Sequence, residues 1–288
     1  MKKVTFAMLI ITFLLFLGLG LSPDESLANA TYDGEANRDV YLNIMTCNKM
    51  QYEMVKAIVG DKHNVQFMFI NEQDSLNFKY TQETTNNIEN MDLFLYSGNE
   101  YESWVDNLNE SISDGNVGII DLSRGIRTIN FQSNGNSKIN PYYWTGLDEY
   151  KIALYNIKSA IQDKDPLNRD IYEENYNDAV NKAKIYVGVT SDQTVKLSKY
   201  TFIALDDYLD YFYKNINITY FKVGGKTVQE IITENKLDPT KVIILKDKDT
   251  KFEGTGFNVI NLEKFNGNNS AEELIVNNYR NLYKGINK

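Results

Sequence analysis

Apolar residues recur at spacings of three and four through the middle of the chain. Tyr150, Ala153, Leu154, Ile157, Ala160 and Ile161 form a first run, and Ile171, Tyr172, Tyr176 and Val180 a second. That period predicts amphipathic helices. Asp165-Pro166 separates the runs, with proline at a helix start and Asp165 as the cap candidate. On both sides, short apolar runs alternate with helical ones. Before the helices, strands are expected at 40–45, 65–70, 93–96 and 117–122. Helices are expected at 50–59, ended by Gly60, at 84–90, and at 101–108, with Trp104 and Leu108 on one face. After them, strands are expected at 200–205, 216–223, 242–245 and 257–262. A helix opens at Asp206-Asp207, another covers 227–235, and a closing helix at 270–286 has Ser270 as its cap and Leu274, Ile275, Tyr279, Leu282 and Ile286 on one face. Such alternation builds parallel sheets covered by helices on both faces. The expected fold class is α/β: two lobes, each a small parallel-rich sheet flanked by helices, joined by a long rigid helix. The boundaries are 1–30 for a leader, 31–146 for the first lobe, 147–190 for the linking helical region and 191–288 for the second lobe.

The leader is read from Lys2 and Lys3, the apolar run 4–21 and the small residues Ala28-Asn29-Ala30. A basic start, an apolar stretch and an A-x-A site describe a secretory signal peptide, cleaved after Ala30. An uncleaved N-terminal anchor is the other reading of the same run. Both place the rest of the chain outside the cytoplasm, secreted or at the cell surface. Cys47 is the single cysteine. It therefore makes no intramolecular disulfide, leaves no lipid-anchor cysteine near the cleavage site, and is expected to be a buried, inert thiol. The net charge of −9 argues against a nucleic-acid partner. His63 is the single histidine. It follows Gly60-Asp61-Lys62 in a turn, where a solvated surface position is expected. One histidine, one cysteine and no Gly-rich phosphate loop leave no recognisable enzyme motif.

The middle segment also carries a resemblance. Asn140, Pro141 and Trp144, followed by Asp165, Pro166, Asn168 and Tyr172, stand in the order of a hallmark of the zinc/manganese solute-binding proteins of ABC importers. Gly60-Asp61-Lys62, the segment 74–81, Asp92-Leu93-Phe94, Trp104-Val105-Asp106 and the loop 121–126 also resemble that family's first lobe. Asp206 with Tyr211-Phe212, and Leu262-Glu263-Lys264, resemble parts of its second lobe. The chain departs from the family between Leu245 and Phe257, where a short Gly-containing loop replaces a helix. The resemblance implies a cleft between lobes that takes a metal ion, a membrane permease as partner, and action as a monomer. By the family's spacing the metal ligands fall on Asp206 and Glu263. The two first-lobe histidines are replaced, by Leu76 and by Tyr142, which leaves Tyr142 as a weak ligand.

The residues keep three readings open. Asp206 and Glu263 can anchor a divalent ion, zinc or manganese, with water and with Asn77 or Tyr142. Alternatively, Tyr142, Tyr143, Trp144, Tyr208, Phe78 and Tyr80 line an aromatic cleft repurposed for an organic cation or other small molecule. In the third reading the chain binds no metal and is an accessory or interaction protein.

Overall fold

The computed structural model describes residues 39–112, 115–133, 136–187 and 195–287. The expected leader, 1–30, lies outside them. Every element below belongs to the unit Tyr41–Lys288. No helix among the described residues is long and apolar enough to cross a membrane.

Strands β1 (Asn43–Asn48), β2 (Asn64–Phe69), β3 (Leu93–Tyr96) and β4 (Gly118–Asp121) form a parallel sheet in the order β2-β1-β3-β4. Helices α1 (Lys49–Val59), α2 (Glu72–Leu76), α3 (Gln82–Glu89) and α4 (Trp104–Ser111) connect its strands. Parallel strands need crossover connections; the inner strand β3, Leu-Phe-Leu-Tyr, reads as a continuous apolar run, while the edge strands β2 and β4 are only partly buried. Phe94, Ile88, Trp104, Val105, Leu108 and Cys47 pack together as the core of this lobe. Burial pushes the Cys47 thiol well above its usual range, which keeps it in the unreactive form. An antiparallel hairpin, β5 (Asn130–Ser133) with β6 (Asn136–Ile139), follows the sheet. Its strands are short and polar and carry no period-two pattern.

The second sheet is parallel as well: β7 (Thr201–Ala204), β8 (Tyr220–Lys222), β9 (Val242–Asp247) and β10 (Asn258–Leu262), in the order β10-β9-β7-β8. Helices α7 (Asp210–Asn215), α8 (Val228–Glu234) and α9 (Ala271–Ile286) belong to it. Capping boxes start two of these helices, Thr227 with Glu230 and Ser270 with Glu273. Two expectations are corrected. Asp206-Asp207 does not open a helix, because the chain turns first and α7 begins at Asp210. The strand expected over 216–223 shrinks to Tyr220–Lys222, because the chain turns at Asn217 with a φ of 53°.

Between the sheets run α5 (Leu147–Lys164), a 3-10 turn (Pro166–Asn168) and α6 (Arg169–Val187). Tyr155 meets Tyr176 at 6.4 Å between ring centres, and Lys158 meets Glu173 at 2.6 Å. Those pairings require α5 and α6 to lie antiparallel, side by side. Helix α6 packs against α1 from the first sheet and α9 from the second, and α5 packs against α1, β4 and α7. The helical pair is therefore a spine shared by both sheets. The apolar positions of α5 point inward as the period requires, but Ile171 at the start of α6 is 48% exposed.

The break between α5 and α6 holds a buried polar network. Asp165 does not cap the following turn with its side chain. Its carboxylate instead accepts two hydrogen bonds from Asn168, at 3.0 and 2.9 Å, and one from the Tyr172 hydroxyl. His63 completes the network, and its expected surface position is corrected: it is 4% exposed. Its Nε2 lies 2.7 Å from the Tyr172 hydroxyl and 3.5 Å from Asp165, and its Nδ1 accepts from the Leu42 amide at 3.3 Å. An Nδ1 that accepts carries no proton, so the geometry selects the tautomer that donates from Nε2. The Asp-Pro-x-Asn-x-x-x-Tyr pattern thus ties the spine to the first sheet.

A second buried network holds the carboxyl ends of β1 and β3. Glu102 accepts from the Ser97 amide and hydroxyl, each at 2.9 Å, from Gln51 at 3.1 Å and from Asn48 at 3.4 Å. Burial pushes this carboxyl up to about 7, against the pull of the Ser97 and Gln51 hydrogen bonds.

Two outcomes follow from these networks. Tyr172→Phe removes a hydroxyl shared by His63 and Asp165 and should cost about 1–3 kcal/mol in urea unfolding; unchanged stability would show that the network is not stabilising. Glu102 takes up a proton more readily folded than unfolded. Its stabilising contribution is complete below its unfolded value of 4.5 and is lost as pH rises through about 7. The difference is on the order of 3 kcal/mol at most. Glu102→Gln should flatten the wild-type fall in stability across that window, measured by urea unfolding at stepped pH.

Candidate cation site

In parallel sheets the carboxyl ends of the strands share one edge, so residues that follow different strands meet there. In the second sheet β10, β9 and β7 are neighbours. Asp206 follows β7, Asp247 ends β9 and Lys264 follows β10. These three side chains converge. The Lys264 ammonium lies 2.9 Å from Asp247 Oδ2 and 3.8 Å from Asp206 Oδ2. It also sits 5.5 Å from the centre of the Tyr208 ring, where the negative face of the aromatic attracts a cation.

The two carboxylates are in different states. Asp206 Oδ1 accepts from the Tyr208 amide at 3.0 Å, while its Oδ2 is buried without a hydrogen-bond partner. Burial pushes the Asp206 carboxyl up, Lys264 offsets part of that, and the nearby Asp247 adds to it. Burial also works against ionisation of Asp247, but hydrogen bonds from Thr250, Lys264 and the Asp249 amide outweigh it and hold that carboxyl well below the usual range.

Glu263 is placed differently. Its Oε1 lies 3.3 Å from the Lys248 ammonium and its Oε2 accepts from Asn277 at 3.1 Å. Asp206 and Glu263 thus pair with different lysines, and the carboxylate that shares a lysine with Asp206 is Asp247. Around Glu263 and Lys264 is an open pocket of ≈ 390 Å³, bounded by Asp247, Lys248, Asp249 and Asn266. The loop carrying Phe265 is held by that residue's amide donating to the Tyr208 hydroxyl at 3.0 Å. Gly267 in the same loop has a φ of +82°, and a Cβ there would come within 3.2 Å of Ile70 from the first lobe. Glycine is required there for conformation and for the close approach of the lobes.

From the first-lobe side, the Tyr142 hydroxyl donates to Glu72 on α2 at 2.8 Å. Burial, and then Glu72, push the Tyr142 phenol far above its usual range. Tyr142 therefore faces the cleft as a protonated donor rather than as a phenolate. Its ring lies tilted against Tyr208 at 4.3 Å and meets Trp144 edge-on at 5.7 Å, and Tyr101 joins the group edge-on at 5.1 Å from Trp144. The Trp144 indole N–H donates to the Tyr208 hydroxyl at 3.4 Å. Tyr143 is fully buried and donates to the Ser97 carbonyl at 2.8 Å. Phe78 and Tyr80 pack into the first-lobe core. Leu76 is half-buried at the end of α2, and the exposed Asn77 donates back to the Gln73 carbonyl at 2.9 Å. The aromatic residues named from the sequence thus divide between a cluster of edge-on and tilted rings at the cleft and the core of one lobe. Asn140, of the Asn-Pro pair, ties the cleft to the second lobe by donating to the Asp207 carbonyl at 2.6 Å and to Asp210 at 3.0 Å.

Asp247, Lys264 and Glu72 are the residues that sequence reasoning passed over. Lys264 was visible only as the neighbour of Glu263. Glu72 lies on a five-residue helix too short to show a period. Among the described residues no group of three or more His, Cys, Asp or Glu side chains is arranged to hold a metal ion. A larger cavity of ≈ 690 Å³ lies under the loop after β9, lined by Leu205, Val223, Phe252 and Phe257. Thr250, which hydrogen-bonds Asp247, borders it.

Comparison with known proteins agrees with this architecture. The model of the family described as zinc-uptake complex component A, periplasmic (ZnuA) matches residues 44–274. The chain is 25% identical over 256 residues to the metal ABC transporter substrate-binding lipoprotein ScbA of Streptococcus cristatus, covering 86% of this chain and 78% of that protein. It is 23% identical over 224 residues to the high-affinity zinc uptake system protein ZnuA of Bacillus subtilis, covering 74% and 68%. Its fold is similar to that of the metal-dependent lipoprotein YcdH of Bacillus subtilis, with a TM-score of 0.67 at 20% identity over 86% of this chain and 98% of the other. It is equally similar in fold to the laminin-binding adhesin Lmb of Streptococcus agalactiae, with a TM-score of 0.67 at 17% identity over 85% and 99%. With its two parallel sheets on a shared helical spine and a family match over most of its length, the chain belongs to the ZnuA family of substrate-binding proteins, which are not enzymes.

Proposed function

We propose that this chain is the extracytoplasmic solute-binding component of a metal ABC importer, taking a divalent cation into the cleft between its sheets and delivering it, as a monomer, to a membrane permease. One observation carries the reading: the second sheet presents Asp206 and Asp247 together, with a cation already between them, the Lys264 ammonium. Relatives named for zinc and for manganese are the source of the cargo class. The site is poor in histidine. Leu76 and Tyr142 stand where the resemblance expects first-lobe imidazoles, and the only histidine is committed to the spine. Carboxylates without imidazole favour harder ions, so manganese fits better than zinc. Asp206 is the anchoring ligand in this reading, with Asp247 beside it. Glu263, at the rim with Lys248, comes second.

The physical consequence is modest affinity, because few carboxylates and no imidazole meet the ion. Calorimetric titration of the metal-stripped protein with manganese and zinc should give saturable binding that weakens at least tenfold in Asp206→Ala. Absence of binding for every divalent ion would reduce the family membership to a shared fold and sink the transport reading.

A further inference from the structure

We propose that Lys264 is a built-in competitor for the cation position, and that it sets the affinity and selectivity of the site. This rests on the reading above, that cations enter beside Asp206. An ammonium carries one charge and donates hydrogen bonds, so it can satisfy two carboxylates without a metal. Lys264 does so for Asp247, to which its ammonium donates at 2.9 Å from the end of β10, and it meets Asp206 only as an ion pair at 3.8 Å, over the Tyr208 face. It is only partly enclosed. Its side chain is 37% exposed and borders the open pocket of ≈ 390 Å³, which offers the long aliphatic stem room to swing out. Glu263 also lines that pocket.

Loading a divalent ion then has two parts: the ion displaces the ammonium, and the ammonium moves into the pocket. The ion must outbid a tethered cation that is always present at high local concentration, and tethering makes such competition effective. Singly charged ions gain no electrostatic advantage over the ammonium and are rejected. A divalent ion wins only by its greater charge. The same lysine prevents Asp206 and Asp247 from facing each other uncompensated in the unloaded protein. Asp206 Oδ2, buried without a hydrogen-bond partner, is the atom left for the incoming ion.

The test uses the full secreted protein and two variants, titrated calorimetrically with manganese and zinc. Lys264→Met keeps an aliphatic stem and removes the charge; Lys264→Arg keeps the charge. Binding should tighten at least tenfold in Lys264→Met and stay near the wild-type value in Lys264→Arg. Adding Asp247→Asn to Lys264→Met should abolish the gain. Equal affinity in wild type and Lys264→Met, with binding still dependent on Asp206, would overturn the competitor role and leave the transport reading standing. Equal tightening in Met and Arg variants would overturn it too, since charge would then be irrelevant. No binding in any of the proteins would overturn both. Binding that appears only in Lys264→Met would support the competitor role while removing metal capture from the unmodified chain.

Discussion

A carboxylate buried at a helix break must be fully hydrogen-bonded or the fold around it fails, and the rest of this molecule depends on how Asp165 meets that demand. Asn168, Tyr172 and His63 surround it. Two of these come from the turn and helix that follow, and the third from the edge of the first sheet. Satisfying one side chain thus fixes the turn between α5 and α6 and the docking of that helical pair on the sheet. Because α6 also packs against α9, the second sheet is oriented by the same spine. The two antiparallel helices thus contact elements of both sheets.

The cleft inherits its chemistry from strand direction. Parallel sheets bring all their carboxyl ends to one edge, and residues remote in sequence become neighbours there. On the second sheet this produces two aspartates around an ammonium. On the first it produces the Glu102 network and, beside it, the Tyr142–Glu72 pair. Trp144, Tyr208, Tyr142 and Tyr101 fill the space between. Burial among these rings raises the cost of an unpaired charge; Glu72 meets the Tyr142 hydroxyl there, and Asp206 meets Lys264 only at ion-pair distance.

Differences between the expected and observed placements have a common cause. His63 looked exposed because its immediate neighbours are glycine, aspartate and lysine, yet its hydroxyl partner is 109 positions away. Glu263 looked like the partner of Asp206 because both follow strands of one sheet. The side chain at that position turns to Lys248 and Asn277, and the next residue turns inward instead. Both residues lie past the end of β10 and border one pocket, yet each meets a different partner, so an offset of one residue exchanged an aspartate's expected partner for a lysine. The helix Glu72–Leu76 and the hairpin 130–139 were too short and too polar for any period to show.

Local patterning by itself determined most of the succession of strands and helices, the break at Asp165-Pro166, the cap at Ser270 and the buried face of the closing helix. Each depends on residues within a few positions of one another, where period, capping and backbone preference act directly. The tertiary structure decided the order of strands within each sheet, the burial of His63 and the meeting of Asp206, Asp247 and Lys264. Those depend on which strands lie side by side, and adjacency in a parallel sheet is settled by packing against helices supplied from elsewhere in the chain.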